Sequence, residues 1–226
     1  MKKSDENSKQ LVQAFLDHFV YIKQIYYSYK NLFEDDNFTK NMQMYTNDFF
    51  CELNGIYINL ITLLHTKIMD PEYTGRENNK NYNLTVDYII NNIEWTLDEK
   101  NELLQIKEKC ARYIEKIKPA RNKVIAHNDI DTYMASKILG AFEKGLDTAF
   151  LKEIELFCNI ITEKVLGRKC GQIIVNIEGD VQDFKKLMNW GIAINSFIKK
   201  ENKTESENIL KREIYNLIAL FDKTKI

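Results

Sequence analysis

The sequence predicts an all-α protein, an antiparallel helical bundle with a smaller helical C-terminal extension. Three observations predict it. Apolar residues recur at steps of three and four over long stretches, which places them on single helix faces. The 226 residues include only 8 Gly and 2 Pro, few turn-formers for a β-rich chain of this length. The 44% hydrophobic and 29% charged residues are a globular mixture, in a chain long enough to bury a sizeable core.

The elements follow in order. A helix is expected over about residues 8–33, its stripe being Leu11, Phe15, Phe19, Ile22, Tyr26, Tyr29 and Phe33. A second stripe, Tyr45, Phe49, Leu53, Ile56, Leu60, Leu63 and Ile68, ends at Asp70-Pro71, where proline lacks a backbone donor and biases its predecessor away from helix. Both stripes read as core rather than as surfaces for stacking bases. Residues 70–83 are polar and rich in turn formers, hence a loop. A short helix follows near residues 84–92. Thr96, with Asp98 and Glu99 behind it, starts another, and its stripe is Leu103, Ile106, Cys110, Tyr113 and Ile117. Pro119 is expected either to kink this helix or to open a new one.

A further helix is expected over residues 143–166, with Leu146, Phe150, Ile154, Phe157, Ile161 and Val165 in register and Gly167 as its stop. Residues 172–177 form the one segment that reads as a strand, in need of a pairing partner. Asp180 caps a helix carrying Val181, Phe184, Leu187, Ile194 and Phe197. After a polar linker, a last amphipathic helix carries Leu210, Ile214, Leu217 and Phe221. The organisation is therefore a bundle over residues 1–168 and an extension over residues 169–226. The C-terminal helices would suit docking of a partner, although core packing is the commoner use of such faces.

Charge narrows the function classes. The formal net charge is -1, so no global positive field holds nucleic acid. Contact with RNA has to come from a local patch: Lys116, Lys118, Arg121 and Lys123, or Lys164, Arg168 and Lys169. Basic residues near helix ends also complement the helix dipole without any ligand. Cys51, Cys110, Cys158 and Cys170 form no C-x-x-C pair, and those in helical stretches are expected as buried reduced thiols. The charged N-terminus is unlike a signal peptide, and no apolar run approaches the roughly 20 residues of a spanning helix. A cytoplasmic protein without membrane contact is expected. Dispersed histidines, and the lack of any carboxylate or cysteine cluster at ligand spacing, predict neither metal nor cofactor.

Chemistry is concentrated in one segment, Arg121-Asn122-Lys123-Val124-Ile125-Ala126-His127. His18 and His65 lie in helical stripe regions and are expected as packed or surface residues. His127 lies six residues after Arg121, next to polar Asn128-Asp129. Histidine titrates near neutrality and can serve as general base or acid. Arginine stays charged and presents a fork matching phosphate oxygens. Together they suit metal-independent cleavage of RNA, in which a 2′-OH is activated and charge on the phosphate is stabilised. Lys123 and Lys118 would add attraction for the strand. Asn122 could orient the phosphate, and Asp129 the imidazole. On a continuous helix six positions span about 600°, leaving the two side chains roughly 120° apart. They converge only if the helix breaks, if Arg121 curls around, or if a second subunit completes the site. Spacing alone is weak, since chance produces such a pair roughly 20% of the time in this composition.

Arg121-Asn122-Lys123 with Ala126-His127 and Asp129 resembles the motif of the HEPN superfamily: an arginine, a polar residue, and a histidine four to six positions on. Asp70-Pro71, Thr74-Gly75, Glu77-Asn78 and Asn83-Leu84-Thr85 are similar to the "DP…TG…EN…NLS" region of abortive-infection AbiU-type HEPN proteins. The likeness runs from about Leu53 to Asp129. It implies a HEPN-type all-α bundle, a homodimer, and metal-independent endoribonuclease activity in phage defence or a toxin–antitoxin system. An antitoxin or another defence-system protein is implied as a further partner. By position, Arg121 and His127 would be catalytic, with Asn122, Lys123, Asp129 and Lys118 supporting or binding RNA; Asp70 and Asn83 are also explained as residues that hold the loop. The alternative is a catalytically inactive HEPN-like module that binds RNA or protein. One departure is that Asp129 stands where some HEPN toxins carry a tyrosine modified by a partner enzyme.

Overall fold

The fold is given by a computed structural model that describes residues 5–76, 79–125, 140–169, 180–200 and 204–223. Among them are seven α-helices: α1 Asp5–Phe33, α2 Asp36–Ile68, α3 Val86–Asn92, α4 Leu97–Ala120, α5 Leu146–Leu166, α6 Val181–Lys199 and α7 Glu205–Lys223. A π turn, Arg121–Ile125, continues α4. The architecture is all-α. Its described strands are Tyr73–Thr74 and Asn81–Tyr82, a short antiparallel ladder inside the expected loop, with Tyr73 opposite Tyr82. The expected strand at residues 172–177 lies outside the described residues.

The helices start where side chains satisfy otherwise unpaired backbone N–H groups. Asp35 accepts from Phe38 N at the start of α2, and Thr85 accepts from Tyr88 N at the start of α3. Thr96 and Glu99 form a reciprocal capping box at α4, while Asp180 accepts from Gln182 N at α6. α5 stops at Gly167, whose φ of 65° is left-handed.

One core joins five helices. Phe15, Phe19 and Ile22 of α1 meet Leu64 and Ile68 of α2, Ile89 of α3, Leu103, Ile106 and Cys110 of α4, and Ile154, Phe157 and Ile161 of α5. α1 and α5 run antiparallel: Phe15 lies against Phe157 at 5.5 Å between ring centroids, and Tyr26 meets Asp147 at the opposite end. α4 and α5 are antiparallel too, through the ion pairs Glu99–Lys164 and Lys109–Glu153. A smaller cluster, Leu32, Phe38, Met42 and Phe50, fills the closed end of the α1–α2 hairpin, and Val181 and Met188 of α6 cover it. α6 is also held by Lys185–Asp35 at 2.7 Å and by Gln182 on Tyr27 and Asn31.

Three expectations are corrected. In α2 the buried face is Phe38, Met42, Phe50, Ile61, Leu64, His65 and Ile68, whereas Tyr45, Phe49 and Ile56 of the expected stripe are exposed. Non-helical dihedrals at Thr46 (φ -146°, ψ 42°) shift the helix phase there, so one period does not run along the whole helix. Cys51 falls on the outer face and is exposed; Cys110 and Cys158 are buried, and burial pushes the Cys110 thiol up to about 12. Cys170 lies outside the described residues. Residues 143–145 form a turn, so α5 begins at Leu146 rather than at Glu143. No described helix is long and apolar enough to cross a membrane.

Candidate functional site

The candidate site begins where α4 changes form. Pro119 sits inside the last turn of α4 and neither ends nor opens a helix. It has no N–H for the i→i−4 ladder. The Arg121 N–H is shared between the carbonyls of Ile117 and Lys118, and the chain passes directly into the π turn. Such i→i+5 turns widen a helix and change the angular step between side chains. The 120° offset of a uniform α-helix therefore does not carry through Arg121–Ile125. His127 and Asp129, with all of residues 126–139, lie outside the described residues.

Asp70 meets the π turn from the end of α2. The Arg121 guanidinium donates to Asp70 Oδ2 at 2.8 Å and to Asn122 Oδ1 at 3.0 Å. Both charged side chains are largely covered, Arg121 being 25% exposed and Asp70 19%. Among the described residues these two bonds use two of the five guanidinium N–H donors, leaving three for other acceptors. Lys118 and Lys123 are exposed and have no ion-pair partner among the described residues. The second basic group is partly neutralised: Lys164 pairs with Glu99, and Arg168 donates to Gln13.

The loop between α2 and α3 presents Asp70 and explains its own composition. Asn83 closes the loop by donating from Nδ2 to the Pro71 carbonyl at 3.0 Å and from its backbone N to the Glu72 carbonyl at 2.8 Å. Gly75 has a φ of 99°, and a Cβ there would lie 2.3 Å from the Asn79 carbonyl oxygen, so only glycine fits. Thr85 caps α3. Asp70 differs from these residues. Its carboxylate leaves the loop and reaches Arg121, 51 positions away.

Above this site, toward the middle of α4, lies a buried polar pair. His65 is wholly buried, and its Nδ1 is 2.9 Å from the Tyr113 hydroxyl. Its Nε2 has no hydrogen-bond partner among the described residues. Burial lowers the imidazole to about 3, so it stays neutral. Nearby, the Tyr26 hydroxyl donates to Asp147 Oδ2 at 2.7 Å and lies 2.9 Å from Thr148 Oγ1. Burial raises the Tyr26 and Tyr113 phenols, and the Asp147 charge pushes the same way, so both hydroxyls keep their protons. His18 is half-buried, and burial with nearby Lys67 lowers it. The resemblance includes Asp70, but neither its pairing with Arg121 nor the pairing of Tyr26 with Asp147 follows from motif spacing, because both join residues distant in sequence. Among the described residues no three His, Cys, Asp or Glu side chains are grouped to hold a metal ion.

The chain was compared with protein-family models, curated proteins and solved structures, and nothing in any of the three matches it.

Proposed function

We propose that this protein is a metal-independent endoribonuclease of a prokaryotic phage-defence or toxin–antitoxin system, with Arg121 and His127 as its catalytic pair. The observation that carries the reading is the Asp70–Arg121 ion pair at 2.8 Å. It joins the two separate segments whose residues resemble the AbiU-type HEPN pattern, at a π turn of the kind frequent at functional sites.

In this reading the ribose 2′-oxygen attacks the adjacent phosphorus, and the bond from phosphorus to the 5′-oxygen of the next nucleotide breaks. His127 takes the 2′-OH proton or supplies one to the departing 5′-oxygen. Arg121 stabilises the charge that develops on the phosphate through the N–H groups Asp70 does not occupy. Asn122 fixes the guanidinium, while Lys118, Lys123 and Asp129 support strand binding and the imidazole. The products are a 2′,3′-cyclic phosphate and a 5′-hydroxyl. A homodimer and an antitoxin belong to the same proposal through the resemblance.

A second reading has its own observation. Asp70 already compensates the Arg121 charge, which suits a HEPN-like module that binds RNA or a protein partner without turnover. RNA carrying one 2′-deoxyribose separates the two. A nuclease of this type loses cleavage at the substituted position and keeps it elsewhere; cutting at the deoxy position contradicts the mechanism. A binding module cuts neither RNA. In cells, the nuclease reading expects wild type to arrest growth and His127→Ala to be tolerated.

A further inference from the structure

Beside the Arg121 turn, α1, α2, α4 and the start of α5 with the segment before it line an open cavity of about 400 Å³. Its size is that of small-molecule pockets. Among the described residues four rings line it: Tyr26, Tyr29, Tyr113 and Phe142. Phe142 stands edge-on to Tyr113, with 5.0 Å between ring centroids. Aromatic walls favour a flat π-surface, which every nucleobase has.

The polar groups narrow the ligand further. Asp147 accepts from Tyr26 on Oδ2 at 2.7 Å and from the Thr148 backbone N on Oδ1 at 2.8 Å. An ionised carboxylate has about four acceptor sites, so each oxygen keeps one that no described residue occupies. Two adjacent N–H donors match it, as on the Watson–Crick edge of guanine. A cationic ligand fits less well, because the lining carboxylates Asp147 and Glu34 are balanced by Lys30 and Lys144, and Lys30 pairs directly with Glu34. Among the described lining residues the charges thus balance, as a neutral base needs.

Position ties the cavity to the Arg121 turn. Gly140 lines it, and a Cβ at Gly140 would lie 3.1 Å from Cβ of Ala120, the residue before Arg121. Tyr113 precedes Arg121 by eight residues, about 12 Å of helical rise. A short stretch of single strand spans that gap.

The geometry points to a pocket that receives an unpaired guanine beside the phosphate at Arg121. The pocket rests on the nuclease reading and gives cleavage its base preference. Asp147 reads the guanine N–H edge, and Tyr29 and Phe142 hold its faces, with the buried Tyr113 as the floor behind Phe142.

The test is binding of guanosine 5′-monophosphate and uridine 5′-monophosphate to the full chain by calorimetry, alongside cleavage of RNAs that differ in one base beside the cut. Guanosine monophosphate is expected to bind at least tenfold more tightly than uridine monophosphate. Asp147→Asn, close in shape to the native residue, removes most of that preference. Phe142→Ala, at a ring already 38% exposed, weakens guanosine monophosphate about tenfold with folding intact. Arg121→Ala keeps the base preference and loses cleavage. Equal affinity for the two nucleotides, or no binding of either, overturns the pocket even if RNA is cut. Guanine preference in a wild-type chain that cuts no RNA overturns the nuclease reading and leaves the pocket standing.

Discussion

α5 and α6 are two amphipathic helices of similar length, 21 and 19 residues, with opposite fates. α5 lies between α1 and α4 and buries Phe150, Leu151, Ile154, Phe157, Cys158, Ile161 and Thr162. α6 lies along the outside of the α1–α2 hairpin and buries no residue below the surface. Phe184, Leu187, Trp190 and Ile194 are 41%, 62%, 64% and 43% exposed. Periodicity identifies the apolar face of a helix in both cases. It does not say what covers that face, because cover comes from elements distant in the chain.

The largest expected effect breaks the inner side of this comparison. Phe157→Ala leaves a cavity against Phe15 and is expected to cost about 3–5 kcal/mol in urea unfolding. A loss below about 1 kcal/mol would mean that α5 is not the centre of the core. The next effect concerns the histidine packed beneath α5, where the ring centroids of His65 and Phe150 are 4.9 Å apart. Folded His65 is lowered to about 3, below its unfolded value near 6.5. Between these values the unfolded chain binds the extra proton. Stability is therefore unaffected by this group above about pH 6.5 and falls as pH drops, at up to about 1.4 kcal/mol per pH unit. His65→Leu is expected to flatten the stability curve between pH 6.5 and 5; an unchanged slope contradicts a neutral buried imidazole.

A smaller effect is expected at the joint between α2 and α4. A double-mutant cycle on Asp70→Ala and Arg121→Ala is expected to give a coupling of about 1 kcal/mol, more than an exposed pair and less than a fully buried one. No coupling would separate the loop from the π turn. The smallest effect is on the outer helix, where Leu187→Ala is expected to change stability by less than about 0.5 kcal/mol. A cost comparable to Phe157→Ala would show that the α6 face is covered in solution.

The sequence was most informative where local chemistry and packing agree. Thr96 with Glu99, Asp180 and Gly167 mark helix ends by short-range hydrogen bonding or backbone conformation, and the α4 stripe from Leu103 to Ile117 is buried as its spacing requires. α2 was harder, because two interleaved apolar stripes are separated in phase by the break at Thr46. Pro119 allows either a kink or a new start; no new helix starts there, and the helix runs on into a π turn. Within the candidate site, Arg121 and Asn122 are neighbours in the chain and in space. Asp70 is legible as a residue of the family-like loop motif, but nothing in its local sequence indicates a partner 51 positions away. The same distance hid the pocket, whose Tyr26, Tyr113 and Asp147 come from three different helices.

The most direct test of the nuclease reading is the chemistry of RNA ends. Purified full chain, incubated with RNA and a strong chelator, is expected to leave 2′,3′-cyclic or 3′-phosphates opposite 5′-hydroxyls. Arg121→Ala and His127→Ala are each expected to lower the rate by about 10²–10⁴-fold. Cleavage by both variants at the wild-type rate, or 5′-phosphate products, would contradict the assignment of Arg121 and His127.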